Sequence, residues 1–267
     1  MSIIWIVLLI LAALVAVLTV IGFKRPEFFL NIRYSRLPGN DERYHPENQR
    51  TNPASPLRGK SLIFLGSSVT EGMAALGKTF AEYMEQIDGI RFVKEAVSGT
   101  MLVTQGDKKG RSYIPRMLAL DRDIQADCFV CQLSTNDATQ RKVLGSVSDG
   151  FHREDFDTET VAGAIEYIIA YAKDTWNCPV VFYTNVRYDS EVYGKMVELL
   201  LKIQSKWGIG VIDLWNDEGL NNISEENRGL YMSDAIHPTQ AGYLCWWTPK
   251  FESYLTEYLN LKEGDRP

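Results

Sequence analysis

The sequence predicts a three-layer α/β/α sandwich built on a five-stranded parallel sheet and preceded by a membrane-spanning helix. Three observations lead there. From Lys60 onward, short apolar runs alternate with amphipathic stretches, the pattern of a parallel sheet with helices on both faces. Each short run is bounded by turn-forming residues, as buried parallel strands are. The opening stretch, residues 3–22, is continuously apolar, with Thr19 as its only hydroxyl residue.

That opening run comes first in order. Twenty residues of helix rise about 30 Å, the thickness of a bilayer's hydrocarbon core. No Lys or Arg precedes the run and no clear small-x-small cleavage site follows it, which favours a retained anchor over a cleaved signal peptide. Lys24, Arg25, Arg33 and Arg36 follow the span, so the positive-inside rule puts the carboxyl side in the cytoplasm; an extracellular domain is the alternative. Residues 24–58 carry Pro26, Pro38, Pro46, Pro53 and Pro56 with little periodicity, and read as a linker, partly extended. The division is therefore an anchor over 1–23, a linker over 24–58 and a folded domain over 59–262. Strands are expected at 62–65, 91–96, 128–133, 180–183 and 210–213. Helices are expected at 80–87, 112–120, 158–175 and 191–207, with a last one over 239–259. The helix after Asp157 is the clearest, because Val161, Ile165, Ile168 and Ile169 make an apolar stripe behind capping residues.

Composition excludes some classes. A net charge of -6 with no basic stripe argues against a nucleic-acid surface. The four cysteines suggest no disulfide framework. Cys128 and Cys131 form a Cys-x-x-Cys, but three positions apart on a strand they point to opposite faces, so all are read as buried free thiols rather than metal or redox ligands.

The chemistry centres on Gly66-Ser67-Ser68, which follows the first strand. A serine there sits at the carboxyl edge of the sheet, where open α/β folds place their ligands. A serine nucleophile needs a base, most often histidine, and the chain has only three: His45, His152 and His237. His237 lies three residues after Asp234, close enough for the carboxylate to hold a ring nitrogen. Donors for a developing oxyanion are available from the backbone N–H of Gly99, after the second strand, and the side-chain amide of Asn136, after the third.

With these segments in hand, the chain resembles the SGNH hydrolases, also called GDSL-type lipases/esterases, in four blocks spread over about residues 60 to 245. The nucleophile of the first block matches Ser68, the glycine of the second matches Gly99, the asparagine of the third matches Asn136, and the Asp-x-x-His of the last matches Asp234 and His237. The sequence departs from the family pattern at Ser67, Ser134 and Glu95-Ala96-Val97, where aspartate, glycine and a preceding asparagine are usual. The resemblance implies a flavodoxin-like sandwich and a serine esterase with a Ser68–His237–Asp234 triad. Its oxyanion hole would be formed by Ser68, Gly99 and Asn136. It also implies small-molecule acyl ester substrates, such as O-acetyl groups on carbohydrate or short-chain lipid esters, with no cofactor or metal. An acyltransferase on the same fold and a non-catalytic ligand-binding module are the alternatives.

Several other residues carry two readings each. Gly106 to Arg111 is a mobile lid or a solvated loop, and Trp246 and Trp247 line a pocket or fill the core. Asp137 is expected to brace its loop, and Tyr183, Thr184, Asn185 and Arg187 lie at the end of the fourth strand.

Overall fold

In the computed structural model, which describes residues 10–11, 31–107 and 109–260, five parallel strands form one sheet. They are β1 (Ser61–Gly66), β2 (Arg91–Ala96), β3 (Cys128–Gln132), β4 (Val180–Tyr183) and β5 (Gly210–Ile212). Their order across the sheet is β2-β1-β3-β4-β5, so the winding reverses between β1 and β3. Every strand falls within a residue of its expected limits.

Alternate residues of a strand feed opposite cores, as a period of two requires. Ile63, Leu65, Phe129, Cys131 and Phe182 pack beneath the Val161–Trp176 and Glu191–Trp207 helices. Leu62, Phe64, Cys128, Val130 and Tyr183 face the other way, against the Phe80–Asp88 and Thr248–Tyr258 helices. The Cys-x-x-Cys is therefore split between two cores. Cys178 is buried as well, but Cys245 is exposed, because its place on the final helical run faces away from both cores. Trp246 and Trp247 are core residues, and the Trp246 indole donates to the Leu220 carbonyl at 2.9 Å.

Two helices differ from expectation for local reasons. The Val161–Trp176 helix starts late because Thr160 is its cap, its hydroxyl accepting from the Gly163 N–H at 3.2 Å. The final helix is one run with a π segment at Tyr243–Trp247. Pro249 follows it and has no N–H for a carbonyl one turn back, so the regular ladder cannot pass through.

The expected linker is, from Tyr34 on, part of the packed body. Three 3-10 turns, Pro38–Asn40, Glu42–Tyr44 and Pro46–Asn48, lay it on the domain. Asn40 is buried and makes three ties: its amide donates to the Tyr34 and Ala74 carbonyls at 2.9 and 2.8 Å, and its oxygen accepts from the Gln240 N–H at 2.8 Å. Further along, the Tyr83 hydroxyl donates to the Tyr44 carbonyl, and the Ser55 hydroxyl donates to Asp88 at 2.7 Å. Among the described residues no helix is long and apolar enough to cross a membrane. The expected span over 3–22 lies, except for Ile10 and Leu11, outside those residues.

Candidate active site

Strand register brings the site's segments to one edge. β1 and β2 end level, Gly66 opposite Ala96, and Gln132 at the end of β3 lies opposite Tyr183 at the end of β4. The turns that follow these strands therefore converge.

The turn after β1 is locked by one side chain. Gln132 Oε1 accepts from the Ser67 N–H at 2.9 Å, the Thr70 N–H at 3.2 Å and the Thr70 hydroxyl at 2.8 Å. Ser67, which stands where the family pattern has aspartate, is buried and also turns its hydroxyl to Gln132 Oε1 at 3.3 Å. Gly66 has to be glycine, since a Cβ there would lie 1.7 Å from Thr70 Oγ1 and 2.8 Å from Gln132 Oε1. Ser68 then opens a one-turn helix, Ser68–Glu71, with its hydroxyl directed to His237: Oγ to Nε2 is 2.8 Å.

His237 is held from its other nitrogen. Nδ1 lies 2.8 and 3.0 Å from the two Asp234 oxygens, and Asp234 Oδ1 also accepts the backbone N–H groups of Ile236 and His237, each at 2.8 Å. Partial burial disfavours the Asp234 carboxylate, but the His237 ring and these two N–H groups outweigh it and bring its pKa down to about 2. The loop is pinned by Ser233, whose N–H donates to the His237 carbonyl at 2.9 Å, and by Asn185, whose amide donates to the Ile236 carbonyl at 3.1 Å. His45 and His152 are elsewhere, the first 3.5 Å from Glu47 and the second at a turn cap.

The expected oxyanion donors gather on the opposite flank. Gly99 takes a φ of +76°, open to glycine and costly to other residues. Among the described residues neither the Ser68 nor the Gly99 backbone N–H has an acceptor. The Asn136 amide donates one hydrogen to the Thr100 carbonyl at 2.9 Å and keeps a second. Ser134, in the family's glycine position, caps the Thr135–Thr139 helix by accepting from the Asn136 N–H at 3.2 Å. Asp137 braces the loop as expected, accepting from the Leu102 and Val103 N–H groups at 2.9 and 3.2 Å; burial raises its pKa despite these donors.

Two cavities flank the site. One of about 280 Å³ begins at Ser98, Gly99 and Thr100 and is bounded by Asp107, Lys109 and Arg111, which puts the Gly106–Arg111 loop at its rim. The other, about 510 Å³, adjoins Asp234 and is lined by Arg187, Tyr188, Glu225 and Arg228. Sequence reasoning missed Gln132, Glu71 and Arg116. Gln132 alone left a signal, as a polar residue closing an otherwise apolar strand.

The sequence profile described as the GDSL-like Lipase/Acylhydrolase family matches residues 64–244. Solved structures share the fold at low identity. A Lactobacillus plantarum protein is 18% identical with a TM-score of 0.60, over 75% of this chain and 98% of its own. A candidate GDSL-like lipase from Bacteroides ovatus is 19% identical with a TM-score of 0.53, over 76% and 98%. A family two carbohydrate esterase from Clostridium thermocellum, solved with cellohexaose, is 11% identical with a TM-score of 0.53, over 75% and 65%. No curated protein matches in sequence.

Proposed function

Because the chain belongs to the GDSL-like lipase/acylhydrolase, or SGNH hydrolase, family, we propose that it is a serine esterase that cleaves small carboxylic esters through an acyl-enzyme. The observation that carries this reading is the chain of contacts from Ser68 Oγ through the His237 ring to Asp234, at 2.8 Å on each side. Ser68 Oγ attacks the ester carbonyl while His237 Nε2 takes its proton. Asp234 accepts from Nδ1–H, fixes that tautomer and stabilises the imidazolium. Negative charge on the former carbonyl oxygen is met by the N–H groups of Ser68 and Gly99 and the free Asn136 N–H. His237 returns the proton to the leaving alcohol, and water repeats the sequence in reverse to release the acid.

The leaving oxygen has to lie beside His237, so the cavity on the Asp234 side is assigned to the alcohol and the one at Gly99 to the acyl group. A volume of about 280 Å³ favours a short acyl chain. The charged lining of the larger cavity favours a polar alcohol such as a sugar hydroxyl. The apolar run over 3–22 supports attachment of this domain to a membrane, and a reporter fused after Pro267 tests on which side it lies.

The test is hydrolysis of p-nitrophenyl acetate, butyrate and octanoate by the full chain, by Ser68→Ala and by His237→Ala. Turnover that falls with chain length and vanishes in both variants is expected. Turnover that persists in Ser68→Ala overturns the assignment.

A further inference from the structure

We infer that Glu71 and Arg116 are positioning residues for the oxyanion hole, suspending the Ser98–Thr100 turn from both ends of the Ser68 turn so that the Gly99 N–H faces the reacting carbonyl. This rests on the esterase reading above.

Ser98 and Gly99 offer two successive backbone N–H groups. Glu71 Oε2 accepts the first at 2.6 Å and takes the Ser98 hydroxyl as well, which leaves the second without an acceptor among the described residues. Glu71 ends the one-turn helix that Ser68 begins, and its own N–H bonds the Ser67 carbonyl at 2.8 Å. Nucleophile and tie thus share a single turn of backbone. On the other side of Gly99, one Arg116 nitrogen reaches both the Gly66 carbonyl at 2.8 Å and the Thr100 hydroxyl at 2.9 Å. The rest of that guanidinium is held by Glu95 at 3.0 Å and the Arg111 carbonyl at 3.0 Å, and the side chain is only 10% exposed.

A carboxylate suits the Glu71 position because Ser98 presents two donors at once and a carboxylate accepts without needing to donate. Its negative charge, one residue from the hole, opposes the oxyanion rather than favouring it. What Glu71 supplies is therefore geometry, and a neutral side chain that still accepts should substitute for it. Arg116 is different. Its planar fork spans several acceptors, which a lysine ammonium on a flexible stem does not reproduce.

The experiment measures kcat, KM and thermal midpoint for p-nitrophenyl acetate with the full chain and Glu71→Ala, Glu71→Gln, Arg116→Ala and Arg116→Lys. Misplacing one oxyanion donor should lower kcat about 10- to 100-fold in Glu71→Ala, with KM changed less than about threefold. Glu71→Gln should recover to within about fivefold of wild type, and Arg116→Lys should stay near the Arg116→Ala value. Wild-type kcat in Glu71→Ala, no rescue by Gln, or full rescue by Lys overturns the inference. Should Glu71→Ala not fold, Glu71→Asp, which keeps the charge but withdraws the carboxylate by one methylene, reads the same tie: a lowered kcat with KM little changed supports it and a wild-type kcat overturns it. The rate at which a fluorophosphonate labels Ser68 gives the same comparison where ester turnover is slow. Turnover unaffected by Ser68→Ala sinks the esterase reading itself. Turnover lost in Ser68→Ala but intact in Glu71→Ala sinks only the positioning role. A chain with neither turnover nor labelling sinks both.

Discussion

Single atoms decide the geometry at Gly66 and Asp234. A methyl group on Gly66 would overlap the Thr70 hydroxyl and press on Gln132, the acceptor that shapes the Ser68 turn. Overpacking of this kind costs about 1–3 kcal/mol. Gly66→Ala is therefore expected to lower the denaturation midpoint and kcat together, as urea titration and ester hydrolysis can check. Asp234 makes an electrostatic prediction. Its folded pKa of about 2 lies below the unfolded value of 3.8, so its contribution to stability is complete above pH 3.8 and is lost as pH falls through 2. Asp234→Asn should remove that acid-side component and, by leaving Nδ1 without its acceptor, reduce kcat on the order of 10³- to 10⁴-fold. Wild-type kcat in Asp234→Asn would rule out a role for this carboxylate in the reaction. The proposed catalytic residues were legible in the sequence because the chemistry narrows the choice: only three histidines exist, and His45 lies in the proline-rich segment and His152 in a charged loop, whereas His237 stands just ahead of the final helix with Asp234 three positions before it. Glu71 and Arg116 were not legible. Their partners Ser98 and Thr100 lie 27 and 16 positions away, and no local pattern announces such a pairing.

Among the elements, the contact between the Phe80–Asp88 and Thr248–Tyr258 helices carries a second pH dependence. Asp88, which is buried, and Glu252, which is partly buried, meet there, with Asp88 Oδ2 lacking any donor unless Glu252 is protonated. Burial and then the Asp88 charge push Glu252 up to about 8. The folded state holds a proton that the unfolded chain releases above the ordinary value of 4.5, so this pair's contribution to stability declines as pH rises from 4.5 to 8. Glu252→Gln should stabilise the protein at pH 8–9 and confer no advantage near pH 4, measured as the difference in denaturant midpoints. A constant difference across that range would refute the shared proton. The strands were readable because apolar runs between turn formers have few other uses. The π segment and the one-turn helices were not, since they depend on Pro249, on caps such as Ser134, and on neighbours far along the chain.

At the scale of the whole molecule, the packed body begins near Tyr34 rather than at residue 59. No hydrophobic period marks residues 34–58; their attachment rests on 3-10 turns and a few buried polar contacts, which is why the sequence reads as a tether. Truncation before Pro53 should unfold the protein at lower temperature than truncation before Asn31, because the Gln240 N–H and the Ala74 carbonyl would each lose the Asn40 partner. Leaving a buried polar group unpaired costs about 1–3 kcal/mol. Equal midpoints would show that the segment is dispensable. The same feature bears on reach. For a chain tethered through residues 3–22, a free leash over 24–58 would let the site wander more than about 100 Å from the bilayer. With residues from Tyr34 fastened to the domain, only about ten remain, and fully extended they span roughly 35 Å. For a chain so tethered, esters carried by the membrane, or by polymers lying against it, would be within range, whereas those in the bulk would have to come to the surface.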